Sequence, residues 1–190
     1  MKNFIDLGLS AEVVDALAKM NVNAPTDIQQ QTIPLALDGH DILASSQTGS
    51  GKTLAYLLPT ITQIVNTGGK ALVLTPTREL TMQVSETINK IGRKVAVSGV
   101  SIIGGEPFFK QTSKLKAKPN IIVGTPGRML DHLMRKTIKF DDFRFLILDE
   151  MDSMLDMGMK KQLDQILNYM PKERQVLMFS ATFQAHILEI

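Results

Sequence analysis

Residues 46–53 combine small side chains with Gly51, Lys52 and Thr53, a pattern that binds phosphate. A short apolar run precedes them, and an apolar helical stripe follows. A strand, a small-residue loop and a helix in this order surround an anion with backbone N–H groups at a helix N-terminus. Lys52 can reach the outer phosphates, and the Thr53 hydroxyl is placed to bind Mg²⁺. The predicted nucleotide-binding loop comprises Ser46, Gln47, Thr48, Gly49, Ser50, Gly51, Lys52 and Thr53.

Two carboxylates are predicted to provide the other half of such a site. Asp149 and Glu150 directly follow an apolar run at residues 145–148, and ligands gather where the strands of a parallel sheet end. Asp149 would hold Mg²⁺ through water, and Glu150 would orient and deprotonate a water that attacks the γ-phosphate. The first loop alone could be a flexible connection, since Ser46 replaces its first glycine, and the carboxylates alone could cap a helix. Their joint presence favours a catalytic site.

The last predicted strand ends in Ser180, Ala181 and Thr182. The hydroxyl groups of Ser180 and Thr182 are expected to lie beside the acidic segment, where they could hydrogen-bond to Asp152. Such bonds would couple the state of the nucleotide to the position of the backbone.

Gln29 has two possible roles. It completes a capping box in Thr26-Asp27-Ile28-Gln29, in which its side chain would satisfy the backbone N–H of Thr26. Alternatively, its amide pairs with adenine through one donor and one acceptor. The residues alone favour the cap.

Two further strands end in a threonine and a proline that are closely followed by an arginine, at residues 75–78 and 125–128. In the second segment Thr125 fits the N-cap and Pro126 the first helical position. Free N–H groups and an arginine at a helix start suit contacts to a sugar-phosphate backbone without base readout. Ordinary capping with a surface arginine explains either segment alone, but both at one edge of the sheet predict a track for one nucleic-acid strand. That track comprises Pro76, Thr77, Arg78, Gly104, Gly105, Thr125, Pro126, Gly127 and Arg128.

These segments need a scaffold that brings several strand ends together. Apolar strand candidates lie at residues 41–44, 71–75, 97–102, 120–124, 145–149 and 175–180. Helical patterns lie at residues 27–37, 53–65, 78–91, 107–116, 126–135 and 160–170, after a first helix capped by Ser10. Strands that are apolar on both faces and alternate with helices predict an α/β fold with a mostly parallel sheet covered by helices on both faces.

Composition limits the class of protein. The 190 residues are 44% hydrophobic and 21% charged, which is typical of one globular domain. The lack of cysteine excludes disulfides, thiol catalysis and cysteine-bound zinc, and it fits a cytoplasmic protein. No apolar run reaches the ~20 residues that a membrane-spanning helix needs. A net charge of +2 permits a nucleic-acid partner without indicating one.

The ordered set of motifs resembles the DEAD-box family of ATP-dependent RNA helicases over essentially the whole chain. The matching segments are Phe4 with residues 25–29 (Q motif), 46–53 (motif I), 76–80 with Gln83 (Ia), 104–105, 125–128 (Ib), 149–152 (II) and 180–182 (III). The resemblance implies a Q-motif region with N-terminal helices at residues 1–30 and a RecA-like, P-loop ATP-binding domain at residues 31–190. ATP and Mg²⁺ would be the cofactors, and RNA the partner. Gln29 and Phe4 would contact adenine, and Ser180 and Thr182 would couple hydrolysis to strand separation.

Family members carry a second RecA-like domain that supplies arginine fingers, and nothing after Thr182 resembles it. The 190-residue chain is therefore expected to bind adenine nucleotide, to hydrolyse ATP weakly and not to unwind RNA. Met151 replaces the usual alanine of motif II and would put a longer side chain where the two domains close. Asn21 and Val22 stand where the family has glycine and an aromatic residue, so adenine stacking would depend on Phe4.

Two other functions remain open. The chain could belong to a helicase or translocase that acts on DNA, or to an RNA clamp or interaction module that does not unwind. Intact Lys52, Asp149 and Glu150 argue against the second. Four lysines are predicted to form a solvated helix face rather than part of the RNA track, namely Lys110, Lys114, Lys116 and Lys118. The methionines at 151, 154, 157 and 159 are predicted to fill the core.

Overall fold

The computed structural model describes residues 3–47 and 49–182. Its strands are β1 (Ile42–Ser45), β2 (Lys70–Leu74), β3 (Gly99–Ile102), β4 (Ile121–Gly124), β5 (Phe143–Asp149) and β6 (Gln175–Ser180). Its helices are α1 (Ala11–Lys19), α2 (Asp27–Leu37), α3 (Lys52–Thr67), α4 (Arg78–Val95), α5 (Phe108–Lys116), α6 (Pro126–Met134), α7 (Met151–Asp156) and α8 (Lys160–Asn168). The predicted alternation of strands and helices is confirmed.

The six strands form one sheet in the order β1-β6-β5-β2-β4-β3, and every neighbouring pair is parallel. All carboxyl ends therefore meet at one edge of the sheet. At that edge Ser45 of β1 lies opposite Ser180 of β6, and Asp149 of β5 lies opposite Phe179. The segments that follow β1, β5 and β6 are thus neighbours in space although they are far apart in sequence.

Alternating side chains of the strands belong to two hydrophobic cores. Ala71 and Val73 of β2 pack in a core with residues of α1, α2, α3 and α4, whereas Leu72 and Leu74 pack in a second core with residues of α5, α6, α7 and α8. A strand with a side-chain period of two and apolar residues on both faces needs a layer of helices on each side. The predicted fold class is therefore correct.

The largest difference from the predicted elements is α7, a six-residue helix directly after the acidic pair. Its length is too short to show a helical period. The structure also corrects the prediction for Met151, whose side chain is fully buried in the second core and not at the surface where a second domain would close. Met154 fills the same core as predicted, but the prediction for Met157 is wrong, because that side chain is mostly exposed.

The other predicted boundaries differ by a few residues at strand and helix ends. Asn21 adopts a positive φ of 60°, a backbone conformation that asparagine tolerates better than most residues and that glycine adopts freely. This explains why asparagine can replace the glycine that the family usually has there. Within residues 3–47 and 49–182, no helix is both long and apolar enough to cross a bilayer.

Candidate functional site

The loop between β1 and α3 has the backbone of an anion-binding site. Gly49 and Gly51 have φ of +84° and +93°, which is the left-handed region that glycine adopts freely. Gly51 is the N-cap of α3 and has no side chain that could cap this helix, an arrangement that suits the binding of an anion by the first N–H groups. The Ser46 backbone N–H donates to the Ser180 carbonyl at 3.1 Å, which fixes the loop to β6. Thr48 lies outside the described residues.

Lys52 and Asp149 are buried charged residues with atoms that have no partner. Lys52 is 7% exposed and Asp149 is 2% exposed. Among the described residues, neither the Lys52 Nζ nor the Asp149 Oδ1 has a hydrogen-bond partner. Leaving a buried charged group without a partner is costly. A ligand that brings anionic oxygens to Lys52 and a cation or water to Asp149 would satisfy both atoms.

Tyr56 holds the other oxygen of the Asp149 carboxylate. Its hydroxyl donates to Asp149 Oδ2 at 2.8 Å, and its ring is fully buried. Burial raises the pKa of Asp149 above its ordinary value, although the Tyr56 hydrogen bond and the positive charge of Lys52 oppose this rise. Burial and the charge of Asp149 raise the pKa of Tyr56 as well, so its hydroxyl remains a donor. One signal for this residue is present in the sequence, because Tyr56 lies one helical turn after Lys52.

Glu150 joins the end of β5 to the start of α7 in a left-handed conformation, with φ of 53° and ψ of 53°. A residue with a Cβ seldom adopts this conformation, and such residues cluster at functional sites. The sharp turn places Glu150 directly after Asp149 at the carboxyl edge of the sheet. Thr53 is the second residue of α3, at the same edge. Within the described chain, no three histidine or acidic side chains meet as a metal site, so any Mg²⁺ here would depend on few protein ligands and on its own waters.

Asp152 connects α7 to the segment after β6. Its Oδ2 accepts hydrogen bonds from the Ala181 N–H at 3.2 Å, the Thr182 N–H at 3.1 Å and the Thr182 hydroxyl at 3.2 Å. The Ser180 hydroxyl accepts from the Asp152 N–H at 3.3 Å and donates to the Thr182 carbonyl at 2.6 Å. Burial acts to raise the pKa of Asp152, but hydrogen bonds from Ser180, Ser153 and Thr182 hold it below its ordinary value. The acidic segment and the end of β6 are therefore one hydrogen-bonded unit.

Gln29 connects α2 to the phosphate-binding loop. Its Oε1 accepts from the Thr26 N–H at 3.0 Å, as the capping interpretation predicts. Its Nε2 donates to the Gly51 carbonyl at 3.0 Å, a contact that the sequence did not indicate. A Cβ on Gly51 would collide with this amide, so glycine is required here for a second reason. The adenine role of Gln29 stays a prediction.

Phe4 was predicted to contact adenine, but its side chain is not accessible to a ligand. Its side chain is 2% exposed and belongs to the first core. A nucleotide could stack on this ring only after the ring had left the core. We therefore leave Phe4 out of the proposed site.

The predicted nucleic-acid track begins at α4. The Thr77 hydroxyl accepts from the Leu80 N–H at 3.2 Å and caps this helix. The exposed Arg78 side chain packs over the glycine pair after β3, because a Cβ on Gly105 would lie 2.5 Å from Arg78 Nη1. Gly105 has φ of +85°. The structure thus brings Arg78, Gly104 and Gly105 together, while Pro76 is buried in the chain segment after β2.

The third segment of the track is the first turn of α6. Thr125 occupies the N-cap and Pro126 the first helical position, as predicted, but the Thr125 side chain makes no capping hydrogen bond. Gly127 is exposed, whereas Pro126 is buried. Arg128 was predicted to contact the RNA backbone, and in the structure its donors reach Gln111, the Glu106 carbonyl and Asp131.

The parallel sheet, the anion-binding loop after β1 and the acidic pair after β5 together define a RecA-like nucleotide-binding domain. The chain belongs to the DEAD/DEAH box helicase family, whose sequence pattern matches residues 26–190. It is 43% identical over 192 aligned positions to the DEAD-box ATP-dependent RNA helicase CshA of Geobacillus kaustophilus, covering 100% of this chain and 41% of that protein. It is 41% identical to a DEAD box protein from the hyperthermophile Methanococcus jannaschii of known crystal structure. That match has a TM-score of 0.90 and covers 98% of this chain and 52% of the other.

Proposed function

We propose that this chain is the ATP-binding N-terminal domain of a DEAD-box RNA helicase, in which RNA-dependent ATP hydrolysis drives local duplex unwinding or RNP remodelling. The chain spans only 41% of the length of the Geobacillus relative, so the helicase activity of a longer protein that contains this domain is itself proposed here. One observation carries the nucleotide half of the proposal, namely that Lys52 Nζ and Asp149 Oδ1 are both buried without a hydrogen-bond partner among the described residues. A cytoplasmic location suits an RNA substrate. Within the chain, residues 1–30 would form a Q-motif region, and residues 31–190 would form the ATP-binding domain.

The residues present fit ATP with Mg²⁺. Lys52 and the free N–H groups of α3 would bind the phosphates, and Gln29 would turn its amide to adenine. Thr53 and Asp149 would hold Mg²⁺, which supplies charge neutralisation on the phosphate oxygens when bound. The unpartnered Oδ1 of Asp149 is the oxygen available for this role, since Tyr56 holds the other.

Glu150 would act as the base. Its carboxylate would orient a water for attack on the γ-phosphate and accept its proton. The hydrogen bonds of Asp152 would then couple ATP hydrolysis to the backbone after β6, because Asp152 is two residues from Glu150 and accepts from Ala181 and Thr182. The RNA track would contact the phosphodiester backbone through Arg78, the glycine pair and the first turn of α6, without reading bases.

The Lys52→Ala variant of the full-length protein tests this proposal. Loss of the ammonium removes charge stabilisation of the outer phosphates, so we expect kcat for ATP hydrolysis to fall at least about 100-fold. Hydrolysis is measured with and without single-stranded RNA, and Lys161→Ala on α8 is the control for the loss of an exposed lysine.

Three results would contradict the proposal in different ways. Full activity in Lys52→Ala would favour an RNA clamp or interaction module that does not need hydrolysis. Equal stimulation by DNA and RNA would favour a translocase without RNA preference. No stimulation by either nucleic acid would remove the RNA half of the proposal.

A further inference from the structure

The carboxamide of Gln111 lies between two segments of the nucleic-acid track. Gln111 belongs to α5 and is fully buried. Its Nε2 donates to the Ile103 carbonyl at 2.6 Å and to Glu106 Oε2 at 3.4 Å. Its Oε1 accepts from Arg128 Nε at 3.0 Å and pairs with His132 Nε2 at 3.0 Å. A carbonyl can only accept and a guanidinium can only donate, so these partners define which way the amide points.

The glycine pair is held on both sides by this amide and by Arg128. Ile103 precedes Gly104, and its carbonyl is bound by Gln111. Glu106 follows Gly105, and its carbonyl accepts from Arg128 Nη2 at 2.7 Å. The turn between the two bound carbonyls contains the left-handed Gly105 over which Arg78 packs. The shape of the turn therefore depends on a partner located on α6.

Helix α5 also fixes the orientation of α6. The Phe108 ring stacks on His132 with a centroid distance of 4.1 Å and an angle of 11°. Arg128 and Arg135 lie over the same ring, with Cζ at 4.9 Å and 4.5 Å from its centroid. The Arg128 side chain is only 16% exposed, and it also bonds to Asp131 at 3.2 Å. Arg128 thus forms intramolecular hydrogen bonds through all three of its nitrogens.

We propose that Gln111 is a positioning residue for RNA, and that Arg128 supports the track through Gln111 and Glu106 instead of gripping RNA itself. The amide keeps the Gly104-Gly105 turn and the first turn of α6 at a constant separation. Both turns present backbone to the phosphodiester backbone of one RNA strand, so their separation sets the fit to successive phosphates. This inference rests on the proposed RNA-dependent activity.

The Gln111→Met variant of the full-length protein tests the inference, because methionine has a similar length but neither donates to Ile103 nor accepts well from Arg128 and His132. We expect the KM for RNA in the ATPase reaction to rise about tenfold, as the loss of buried hydrogen bonds predicts. The KM for ATP and kcat at saturating RNA should change less than about twofold, since the hydrogen-bond partners of Gln111 among the described residues lie on α6 and in the turn after β3. Gln165→Met, at an exposed position of α8, should leave all three values unchanged.

The Gln111→Glu variant distinguishes the accepting role of the amide from its donating role, because glutamate still accepts from Arg128 but cannot donate to the Ile103 carbonyl. An intermediate rise in the KM for RNA supports the inference, and this variant decides the matter if Gln111→Met does not fold. Equal rises in the KM for ATP and for RNA would show a general structural role and overturn it, as would no change in either. If RNA does not stimulate ATP hydrolysis by the wild-type protein, the proposed function has failed. If RNA stimulates the wild-type protein and the Gln111 variants keep the wild-type KM for RNA, only the inference about Gln111 has failed.

Discussion

The Tyr56 hydroxyl donates a hydrogen bond to Oδ2 of the buried Asp149 carboxylate at 2.8 Å. It occupies Oδ2 and leaves Oδ1 for a ligand, so it controls the rotation of a buried carboxylate. Because tyrosine and phenylalanine differ by this hydroxyl alone, the contact can be removed with little change in shape.

We expect Tyr56→Phe to destabilise the nucleotide-free protein by roughly 1–3 kcal/mol, since a buried carboxylate oxygen loses its donor. The Mg²⁺ concentration needed for half-maximal ATPase activity should rise as well, because the carboxylate is no longer held in one orientation. Urea unfolding and Mg²⁺ titration measure the two effects. Tyr169→Phe, at an exposed position, should change neither value. Wild-type behaviour of Tyr56→Phe in both assays would show that the contact has no role.

His132 makes stability depend on pH. Burial and the nearby charge of Arg128 lower the pKa of His132 from 6.5 to about 4, against an opposing effect of Asp131. Between these two values the unfolded chain binds more protons than the folded protein. The stability that the neutral imidazole contributes is therefore complete above about pH 6.5 and is lost as the pH falls towards 4.

The expected observation is a decrease in the urea midpoint between pH 7 and pH 4.5 that is smaller in His132→Asn, which cannot titrate in this range. Both proteins carry the same carboxylates, so the difference between the two slopes isolates the histidine. His40→Asn is the control, because His40 is exposed. Parallel slopes for wild type and His132→Asn would contradict this assignment.

At the scale of elements, helix α4 depends on one glycine near its end. The chain turns back after Ala96, and the Val97 carbonyl passes so close to Gly92 that an added Cβ would lie 2.0 Å from that oxygen. The Val97 N–H also donates to the Gly92 carbonyl at 3.0 Å. The connection from α4 to β3 can therefore close only without a side chain at position 92.

We expect Gly92→Ala to destabilise the protein by about 3 kcal/mol, as overpacking against backbone does. Gly127→Ala is the matched control, because it is the same substitution in a helix where an added Cβ meets no atom of the described residues within 4 Å. Alanine has the higher helix propensity, so this control should gain up to about 1 kcal/mol. Urea unfolding compares the two, and an equal effect of both substitutions would refute the close contact at Gly92.

At the scale of the whole molecule, the carboxyl edge of the sheet presents the phosphate loop, the acidic segment and the predicted RNA track side by side. The chain covers 41% of the Geobacillus protein and 52% of the Methanococcus chain. The proposed hydrolysis needs arginine fingers that the resemblance assigns to a second RecA-like domain.

The 190-residue chain alone should bind a fluorescent ATP analogue, because the phosphate loop and Asp149 lie within it. Its kcat should be at least about 1,000-fold below that of the full-length protein, since arginine fingers contribute this order of rate. It should not separate an RNA duplex. Measurable unwinding by the purified chain would contradict this expectation, and Lys52→Ala of the same chain serves as the negative control for nucleotide binding.

Local patterns in the sequence were sufficient for the strands and for the described helices other than α7, and they predicted the candidate site residues. Strands that are apolar on both faces indicate parallel neighbours and a helical layer on each side. The segment Gly51-Lys52-Thr53 likewise predicts its own loop-to-helix geometry from local residues. The phosphate loop and the acidic pair could therefore be placed at one edge from the sequence, because parallel strands all end on the same side.

The tertiary structure alone decided which side chains meet. Tyr56 binds a carboxylate 93 residues away, Gln29 reaches the Gly51 carbonyl, and Arg128 turns inward to Gln111 and Glu106. Such pairings depend on the register of the sheet and on how the helices pack across it, and no local periodicity encodes them. Sequence thus determined the strands, most of the helices and the residue types of the candidate site, whereas packing decided that Phe4 lies in the core and that the turn after β3 is held by the buried Gln111 amide.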